Sequence, residues 1–588
     1  MINPKKPLQL ARLIKAIDWS EEQLRRYRIR RTELIRQQVG RWWGADGAAF
    51  PVPLGMLRQA KQTYGRQLAA RTPRVLVTTE YVTLRHTAAV AQAAYNVLLK
   101  EMRFHIPLAE VVDDALDSVG IAKIGIERGG NADAQGWLHD PETPFFDRVS
   151  LDDFVPDMSV TRWDKCRFKR DKYWVTRADL ESMPHFRRKA VGDVQMGERS
   201  AYGETGEDRA QAIGLDYLDN ESDVEPMVEL QDIYLDREGL VLTVPTAQPT
   251  LLLAVWEWDG PEAGPYAVLG FGSVADNLMP FSPLEMIYDL HMLANALYRK
   301  LSDQAVGQKT IGIGPKGSVE ENTAVQEAKD GDFLQLTNAV AANIQQLKLG
   351  GVDGGNAAFA IETLRRLDMM AGNLSLMAGL GPQSETATQD QLLMENASMF
   401  LAEMMDATVA YATDCIERLG WYWWHHPTLR VDTMLGIQGT GESVPVSFTR
   451  EMRREGDFAE HNFEIEPYSL RHMTPQQHLK AMVEFLDRLL PVLPYMQQEG
   501  ASMDWQRFVD MYADYSNTPQ IRELLTFSEP AAPEVGQVGP VPPKAAHTVR
   551  ETVRTNRPGH TQSGQDTAMA QAFSGKPPQD SELAGIFQ

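Results

Sequence analysis

Cysteine is nearly absent from the sequence, and so are long hydrophobic runs. The two cysteines, Cys166 and Cys415, exclude a disulfide framework and fit a reducing cytosol. The longest strictly apolar run, 251–255, has about five residues, whereas a transmembrane helix needs roughly 20. The N-terminus carries lysines but no continuous apolar stretch of the signal-peptide type. The sequence therefore predicts a chain that does not associate with a membrane.

Positive charge is in the minority. The chain has 58 lysines and arginines against 80 aspartates and glutamates, which gives a net charge of −22. Proteins that grip nucleic acid through its phosphates are usually basic over the binding face, so this balance excludes a general DNA-coating protein. It remains compatible with a protein that lies near DNA and repels it.

One segment near the N-terminus departs from this acidic average. Its arginines alternate with apolar residues spaced as on one side of a helix, such as Leu24, Tyr27 and Leu34. Two interpretations stay open here: a solvated helix flank, or a basic surface for nucleic acid or an acidic neighbouring subunit. The arginines are Arg25, Arg26, Arg28, Arg30, Arg31 and Arg36.

The rest of the composition is that of an ordinary globular chain. With 588 residues, 43% of them hydrophobic, it can bury a sizeable core in roughly three to five structural units. In the first half, apolar spacing predicts helices and then strands, with a polar loop over 184–224. The predicted helices are 54–70, 87–102 and 108–119, and the predicted strands are 122–127, 167–175 and parts of 225–258.

A strong helix is predicted to begin at Pro283, with Ser282 as its N-cap, and to break at Gly307. Its large apolar residues recur at steps of three and four, which predicts one packed stripe. The stripe consists of Ile287, Leu290, Leu293, Leu297 and Leu301.

Short elements and glycines follow this helix. Strands are predicted over 309–314 and 332–336, and helices over 319–328 and 338–349. Glycines then cluster at 350, 351, 354 and 355 and indicate a flexible loop. The remaining predictions are helices over 356–377, 389–419, 475–490 and 505–512, strands over 429–467, and a mobile tail over 528–588.

Motifs that carry catalytic chemistry are missing. GIGPKGS, residues 312–318, lacks the spacing of a phosphate-binding P-loop, and the glycines at 350–355 do not form a dinucleotide-binding fingerprint. Neither cysteine lies in the sequence signature of a nucleophile, and no GxSxG elbow occurs. We therefore expect no enzymatic activity and no cofactor.

Two small groups of polar residues resemble metal ligands only superficially. Asp152, Asp153 and Asp157 lack the spacing of a calcium loop and are interpreted as caps and turn residues. His425 and His426 follow an aromatic cluster without a zinc-binding pattern and are interpreted as surface or packed histidines. We therefore expect no metal site.

Five stretches occur in a specific order along about 20–525. They are RRYRIRRTELIRQQVGRWW with LRQAKQTYGRQLAARTPRVLVTT; RVSLDDFVPDMSVTRWDKCRFK; GFGSVADNLMPFSPLEMIYDLHMLANALYRKLSDQAV; the run from DGDFLQL through the glycines to SETATQDQLLMENASMF; and FEIEPYSLRHMTPQQHLKAM. Each stretch is loose by itself, and the serial order is the specific part. In this order they resemble the portal proteins, or head–tail connectors, of tailed phages, most of all short-tailed ones.

The resemblance implies an α+β, mostly helical subunit with wing, stem, clip and crown regions, in a ring that normally has twelve copies. The ring would sit at one capsid vertex of the virion after assembly in the host cytoplasm. The implied regions are an N-terminal part and wing over 1–281, a first stem helix over 282–306, a clip over 307–335, a second stem helix over 336–349, a tunnel loop over 350–356, wing helices over 357–420, a crown over 421–527 and the tail over 528–588.

The resemblance also implies partners and site residues. Double-stranded DNA would pass through the lumen beside Lys348 and the loop residues Gly350, Gly351, Gly354 and Gly355. The clip, with Lys309 and Lys316, would dock the large terminase subunit and later the head–tail adaptor or tail proteins. The wing would meet the major capsid or scaffold protein.

Two other classes of function stay open at this point. One is a cytosolic multidomain enzyme whose site is assembled from scattered acids, and the other is a minor virion or ejection protein. A portal forms rings on its own, so the oligomeric mass of the purified protein discriminates between them.

Overall fold

The computed structural model divides the chain into two compact units, Met1–His472 and Met473–Gln588. The second unit lies outside the described residues, and so do the helices predicted over 319–328, 475–490 and 505–512, the strand over 332–336 and the tail over 528–588. The described residues are 7–40, 54–127, 143–183, 186–195, 227–313, 323, 345–349, 351–374, 387–436 and 443–466.

The first unit has an α+β fold, as the sequence predicts. About half of the described residues are helical rather than the predicted majority, and none of the described helices combines the length and apolarity needed to cross a bilayer. The α-helices are α1 (Pro7–Val39), α2 (Met56–Leu68), α3 (Arg85–Glu101), α4 (His105–Asp117), α5 (Arg177–Ser182), α6 (Arg188–Gly192), α7 (Pro283–Val306), α8 (Gly354–Met370), α9 (Ala387–His425) and α10 (Arg450–Arg453).

The strands form small antiparallel sheets. A five-stranded sheet has the order β4-β5-β6-β7-β8, a three-stranded sheet has the order β3-β2-β9, and three pairs join β1 to β14, β10 to β11 and β12 to β13. The strands are β1 (Val75–Thr78), β2 (Gly120–Glu127), β3 (Thr143–Arg148), β4 (Phe154–Pro156), β5 (Lys169–Thr176), β6 (Met227–Leu235), β7 (Leu240–Pro245), β8 (Ala254–Glu257), β9 (Tyr266–Leu269), β10 (Lys309–Ile313), β11 (Gln345–Leu349), β12 (Val431–Gly436), β13 (Ser443–Phe448) and β14 (Asn462–Ile465).

One apolar core joins the beginning of the unit to its end. Tyr95 of α3 is fully buried and stacks on Trp423 and Phe463, with ring centroids 5.4 and 5.8 Å apart. β1 pairs with β14, so that Val75 lies opposite Ile465. Residues 421–466 therefore belong to the same core as the N-terminal helices, and no domain boundary falls at 421.

The long helix ends later than the sequence predicts. α9 continues through the aromatic residues 421–424 to His425, whereas the sequence pattern predicted an end at 419 and a crown beginning at 421. Aromatic side chains have only moderate helix propensity. Here Tyr422, Trp423 and Trp424 are buried, and their tertiary packing outweighs that propensity.

A second apolar core lies between α1 and the five-stranded sheet. Leu13, Ile17 and Leu24 of α1 pack in one cluster with Phe154 and Leu242 of the sheet. These positions recur at steps of four and seven, so that they share one side of the helix. α1 is therefore an integral layer of the fold.

Candidate functional site

Helix α7 begins in the core and then leaves it. Ser282 caps the helix as predicted, since its Oγ accepts hydrogen bonds from the backbone N–H groups of Leu284 and Glu285. Buried positions continue along the helix as far as Asn295, and none of the residues 298–306 is buried. The last two and a half turns of α7 therefore project beyond the core of the subunit.

Helix α8 runs back along α7. β10 follows α7 and β11 precedes α8, and the two strands are antiparallel, with Lys309 opposite Leu349. At the same end, the backbone N–H of Asp353 donates to Oε1 of Gln304 at 3.3 Å. α8 packs along α7, and the carbonyl of Ala371, which follows it, accepts a hydrogen bond from the core residue Tyr64. We name this arrangement the projecting helix pair: α7 and α8, joined at their outer end by β10 and β11.

The structure corrects the helix predicted over 338–349 and the second stem helix placed over 336–349. Residues 345–349 form strand β11, and the helix that packs on α7 is Gly354–Met370. The sequence QQLKL is compatible with either element, and a nearby antiparallel partner decides in favour of a strand.

The glycine loop predicted over 350–356 is also shorter than expected. Asp353 caps α8, and its side chain accepts a hydrogen bond from the backbone N–H of Asn356 at 3.0 Å. Gly354 and Gly355 therefore form the first turn of a helix, while Gly351 has a φ of +127° that favours glycine. α8 ends at Met370 rather than at 377, because Gly372 and Asn373 adopt positive φ angles that end a helix.

The other residues predicted for this region fall in two groups. Lys309 lies on β10, and Lys348 lies on β11 opposite Thr310, so Lys348 is part of a strand rather than of a helix end. Lys316 and Gly350 lie outside the described residues. The structure thus brings Lys309 and Lys348 into one strand pair at the outer end of the projecting helix pair.

The predicted apolar stripe of α7 divides between two faces. Ile287 is fully buried in the core together with Leu284 and His291. The four leucines at 290, 293, 297 and 301 are centred about 110° around the helix from Leu284, Ile287 and His291, since successive residues are rotated by about 100°. Leu293 is 40% exposed and Met286, beside it, is 43% exposed, while the remaining leucines are half-buried. The leucine face of α7, defined as Met286, Leu290, Leu293, Leu297 and Leu301, is therefore apolar yet not covered by the core.

Helix α8 also carries apolar side chains outside the core. Its buried positions are Ala360, Thr363 and Leu367. Phe359 is 52% exposed and Met369 is 60% exposed. Single exposed apolar residues are ordinary, whereas a large contiguous apolar patch is typical of an interaction surface.

The arginines of the basic N-terminal segment divide between two environments: Arg25, Arg26 and Arg36 are exposed, as on a solvated helix flank, whereas Arg28 and Arg31 are buried. Arg28 is buried, and its Nε and Nη2 donate to the carbonyl oxygens of Leu151 and Phe154 at 3.0 and 3.2 Å. Arg31 is buried and donates to Asp114 at 2.9 Å. Arg28 and Arg31 therefore hold α1 on the rest of the fold instead of forming a solvated or ligand-binding surface.

A third arginine of α1 ties the helix to the base of the projecting helix pair. Nε of Arg30 donates to Oε1 of Glu285 at 3.0 Å, and its guanidinium lies 4.1 Å from the ring centroid of Tyr288. The hydroxyl of Tyr288 donates to Oε1 of Glu33 at 3.1 Å. Both partners belong to the first two turns of α7, so α1 fixes the direction in which α7 leaves the core.

A buried ion-pair cluster surrounds Glu21 of α1. Its two carboxylate oxygens accept hydrogen bonds from Arg28 at 3.3 Å and from Arg170 at 2.7 Å, and Lys172 lies 3.5 Å away. Burial by itself raises the pKa of Glu21, but the charges of Arg170, Lys172 and Arg28 outweigh this effect and lower the pKa to about 2.

This lowered pKa predicts a specific loss of stability in acid. Because the folded-state pKa of Glu21 lies below its unfolded value, its contribution is fully present above about pH 4.5 and is lost as the pH falls toward about 2. Over that window we expect the stability advantage of the wild type over Glu21→Gln to shrink by about 2 kcal/mol, after allowance for solvent screening. Urea denaturation at several pH values and constant chloride concentration measures it. The exposed neighbour Glu22→Gln is the control, and a Glu21→Gln difference that does not vary with pH would contradict the prediction.

A second buried cluster joins the two sheets. Nζ of Lys123, on β2, donates to Asp171 at 2.9 Å and to Asp232 at 3.2 Å, on β5 and β6. Tyr266 of β9 donates to the other oxygen of Asp171. Burial by itself lowers the pKa of Lys123, but the two carboxylates outweigh it and raise the pKa, so the lysine stays protonated. The cluster has the arrangement of a structural ion pair, not of a lysine nucleophile.

The predicted turn and packing roles of the polar groups agree with their contacts. Asp157 accepts hydrogen bonds from Arg167 Nε and Ser159 Oγ, both at 2.6 Å, which stabilise the turn before β5. His425 lies against Trp421, with ring centroids 4.2 Å apart, and His426 is buried. Across the described ranges, no three His, Cys, Asp or Glu side chains are arranged to hold a metal ion.

Comparison with protein-family models and with curated proteins found no match for this sequence. Its function is therefore inferred from the order of its segments and from the projecting helix pair.

Proposed function

We propose that the chain is the subunit of a portal-type ring, through which double-stranded DNA is packaged into a capsid and later ejected. One observation carries the proposal: two antiparallel helices leave the core side by side, expose the leucine face of α7, and end in a strand pair. The resemblance to portal proteins implies this order of a stem helix, a β-containing clip and a returning stem helix.

The leucine face supports assembly into a ring. Removing leucine side chains from water is favourable by about 1.5–3 kcal/mol for each fully buried residue. A contact between this face and a different face of the next copy is heterologous, and repetition of a heterologous contact closes a ring if the rotation permits. Neighbouring projecting helix pairs would then stand side by side around a channel.

The bounds of the helices and strands change the limits of the proposed stem, clip and tunnel-loop regions. The first stem helix is α7, and the second is α8, Gly354–Met370, in place of 336–349. The clip consists of β10, β11 and the residues between them, which include Lys316. The tunnel loop can no longer be 350–356, because part of that segment begins α8.

The acidic composition supports a conduit for DNA. Each phosphate that a protein neutralises adds salt-dependent affinity, and such affinity resists sliding. A subunit with a net charge of −22, repeated around a ring, repels DNA overall. In this proposal the strand pair with Lys309 and Lys348 supplies the few positive charges at the outer end.

The proposed partners follow from the same architecture. The clip would dock the large terminase subunit, which supplies the ATPase, and then the head–tail adaptor or tail proteins. The N-terminal part would contact the major capsid or scaffold protein, and the protein would end up at a vertex of the virion. No catalytic role is proposed for the chain itself.

The oligomeric state of the purified full-length protein tests the proposal. We expect a discrete assembly of about twelve subunits by native mass spectrometry or light scattering, and ring-shaped end views with a central channel by electron microscopy. A protein that stays monomeric at high micromolar concentration, without ring views, would refute the portal assignment.

A further inference from the structure

The outward side of α1 carries a row of basic residues around an exposed tryptophan. We name this row the basic stripe, and it consists of Arg12, Lys15, Trp19 and Arg26. Its members recur at steps of three, four and seven, so that they share one side of the helix. All of them are exposed, Trp19 by 50%. The stripe is rotated by about 150° from the leucines and the isoleucine of α1 that pack on the five-stranded sheet, so it faces away from that sheet.

The charges of the basic stripe are not used within the subunit. Arg12, Lys15 and Arg26 form no ion pair with a described residue. Arg28, on the sheet-facing side of the same helix, is by contrast paired with Glu21 at 3.3 Å. Tryptophan is a residue that folding usually buries, and tryptophan and arginine are enriched at the energetic centres of protein interfaces. The stripe therefore has the composition of a contact surface.

The opposite charge is concentrated at one end of the five-stranded sheet. The turn between β6 and β7 and the residues after β8 lie side by side there, because the backbone N–H of Trp258 donates to the carbonyl of Gly239 at 2.8 Å. Trp256, 37% exposed, lies beside Trp258, with ring centroids 6.1 Å apart. We name this surface the acidic corner, and it consists of Asp236, Glu238, Trp256, Glu257, Asp259 and Glu262.

The acidic corner complements the basic stripe in charge and in chemistry. Glu257, Asp259 and Glu262 are exposed and form no ion pair with a described residue. Carboxylates bind guanidinium and ammonium groups through charge-assisted hydrogen bonds, and the face of a tryptophan ring attracts the same cations. Each copy of the chain therefore carries both halves of a complementary contact.

We infer that the basic stripe of α1 docks on the acidic corner of the next copy of the chain. The inference rests on the proposed ring and adds a second contact to that of the leucine face. Within one subunit the stripe faces away from the sheet while the corner lies at the end of it, and no ion pair of the described residues joins the two surfaces. The contact is therefore heterologous, and it repeats from copy to copy.

The acidic residues beside the stripe favour a protein over DNA as its partner. Asp18 and Glu22 are exposed on the same outward side of α1. A phosphate backbone would repel both carboxylates, and DNA affinity depends on the number of phosphates that are neutralised. The acidic corner instead has the exposed Arg237 in its β6–β7 turn, which offers these carboxylates a positive charge.

Charge reversal on each surface of the full-length protein tests the inference. The stripe variant carries Arg12→Glu, Lys15→Glu and Arg26→Glu, and the corner variant carries Glu257→Lys, Asp259→Lys and Glu262→Lys. All six positions are exposed, so circular dichroism of both variants should match that of the wild type. Because like charges then meet at every contact, we expect each variant alone to require a protein concentration at least about tenfold higher for half-assembly.

A control variant reverses three charges outside both surfaces. It carries Arg85→Glu, Lys100→Glu and Lys189→Glu, all at exposed positions. We expect it to assemble at the same protein concentration as the wild type.

An equal mixture of the stripe variant and the corner variant gives the most specific result. The glutamates of the first then meet the lysines of the second, and the unchanged stripe of the second meets the unchanged corner of the first. We expect the mixture to assemble at about the wild-type concentration, with equal numbers of the two variants in each ring by native mass spectrometry. Variants that had merely lost stability would not rescue each other in this way.

The outcomes separate the contact from the ring itself. A wild type without rings would refute the proposed function and the inference together. Wild-type rings with variants that assemble equally well, or with two defective variants that do not rescue each other, would overturn the inference alone. Unchanged assembly of the stripe variant with a loss of affinity for duplex DNA would assign the stripe to DNA and would also overturn it.

Discussion

Replacement of Leu293 by aspartate is expected to abolish ring assembly and to leave the subunit folded. Leu293 is 40% exposed on the leucine face of α7 and lies outside the core cluster of the subunit. In a ring, the aspartate would be buried without a partner at every equivalent interface, and an unpaired buried charge is strongly unfavourable. Native mass spectrometry should show monomers in place of the assembly, and circular dichroism should match that of the wild type.

Ala296→Asp provides the matched control. Ala296 is exposed on the same helix, on the side of Asp289 and Asp303 rather than on the leucine face. The substitution introduces the same charge with a similar loss of helix propensity. We expect the Ala296→Asp protein to assemble normally. Intact rings of Leu293→Asp would show that the leucine face is not a subunit interface, even if the wild type forms a ring.

Replacement of Asp114 by alanine is expected to destabilise the subunit by about 3–5 kcal/mol, because it removes the carboxylate shared by Arg31 and Arg148 and leaves buried Arg31 with only the longer contact to Asp152. Asp114 of α4 accepts hydrogen bonds from Arg31 at 2.9 Å and from Nη2 of Arg148 at 3.0 Å. Arg31 is 4% exposed. Urea denaturation followed by tryptophan fluorescence measures the free energy of unfolding.

The neighbouring residue supplies a control for this change as well. Asp113 is 55% exposed and lies 3.8 Å from Lys61, so Asp113→Ala should cost less than about 1 kcal/mol. Equal effects of the two substitutions would mean that the α1–α4 ion pairs contribute no more to the free energy of unfolding than surface ion pairs do.

Local signals in the sequence were sufficient for the elements that carry their own start and stop residues. Ser282 and Pro283 mark the beginning of α7, and Gly307 marks its end. The helices predicted over 54–70, 87–102 and 108–119 are confirmed with small shifts, since their apolar periodicity is strong. The α+β character of the fold was predictable for the same reason.

Elements whose existence depends on a distant partner were not predictable. The residues of β1, VLVT, become a strand by pairing with β14 at the other end of the unit. The residues of β11 become a strand by pairing with β10. Neither segment is long enough for its period to distinguish a strand from a helix, and the partner cannot be identified without the fold.

The roles of charged side chains were also beyond sequence reasoning. Arginines at 25, 28 and 31 look alike in the sequence, yet Arg25 is exposed and the other two are buried. One signal was available: 24, 28 and 31 recur with helical spacing on the side that carries the leucines. Recognition of that face would have indicated that Arg28 and Arg31 point toward the fold.

The pairing of β1 with β14 has a consequence for the synthesis of the chain. Val75 and Ile465 lie about 390 positions apart, and a ribosome adding about 5–20 residues per second needs about 20–80 s to cover that distance. Throughout that interval the nascent N-terminal part has an unpaired strand edge and lacks the aromatic residues that later pack against Tyr95. Products of interrupted translation therefore retain this open edge. The strand that closes it, β14, lies in the last part of the first unit to be synthesised.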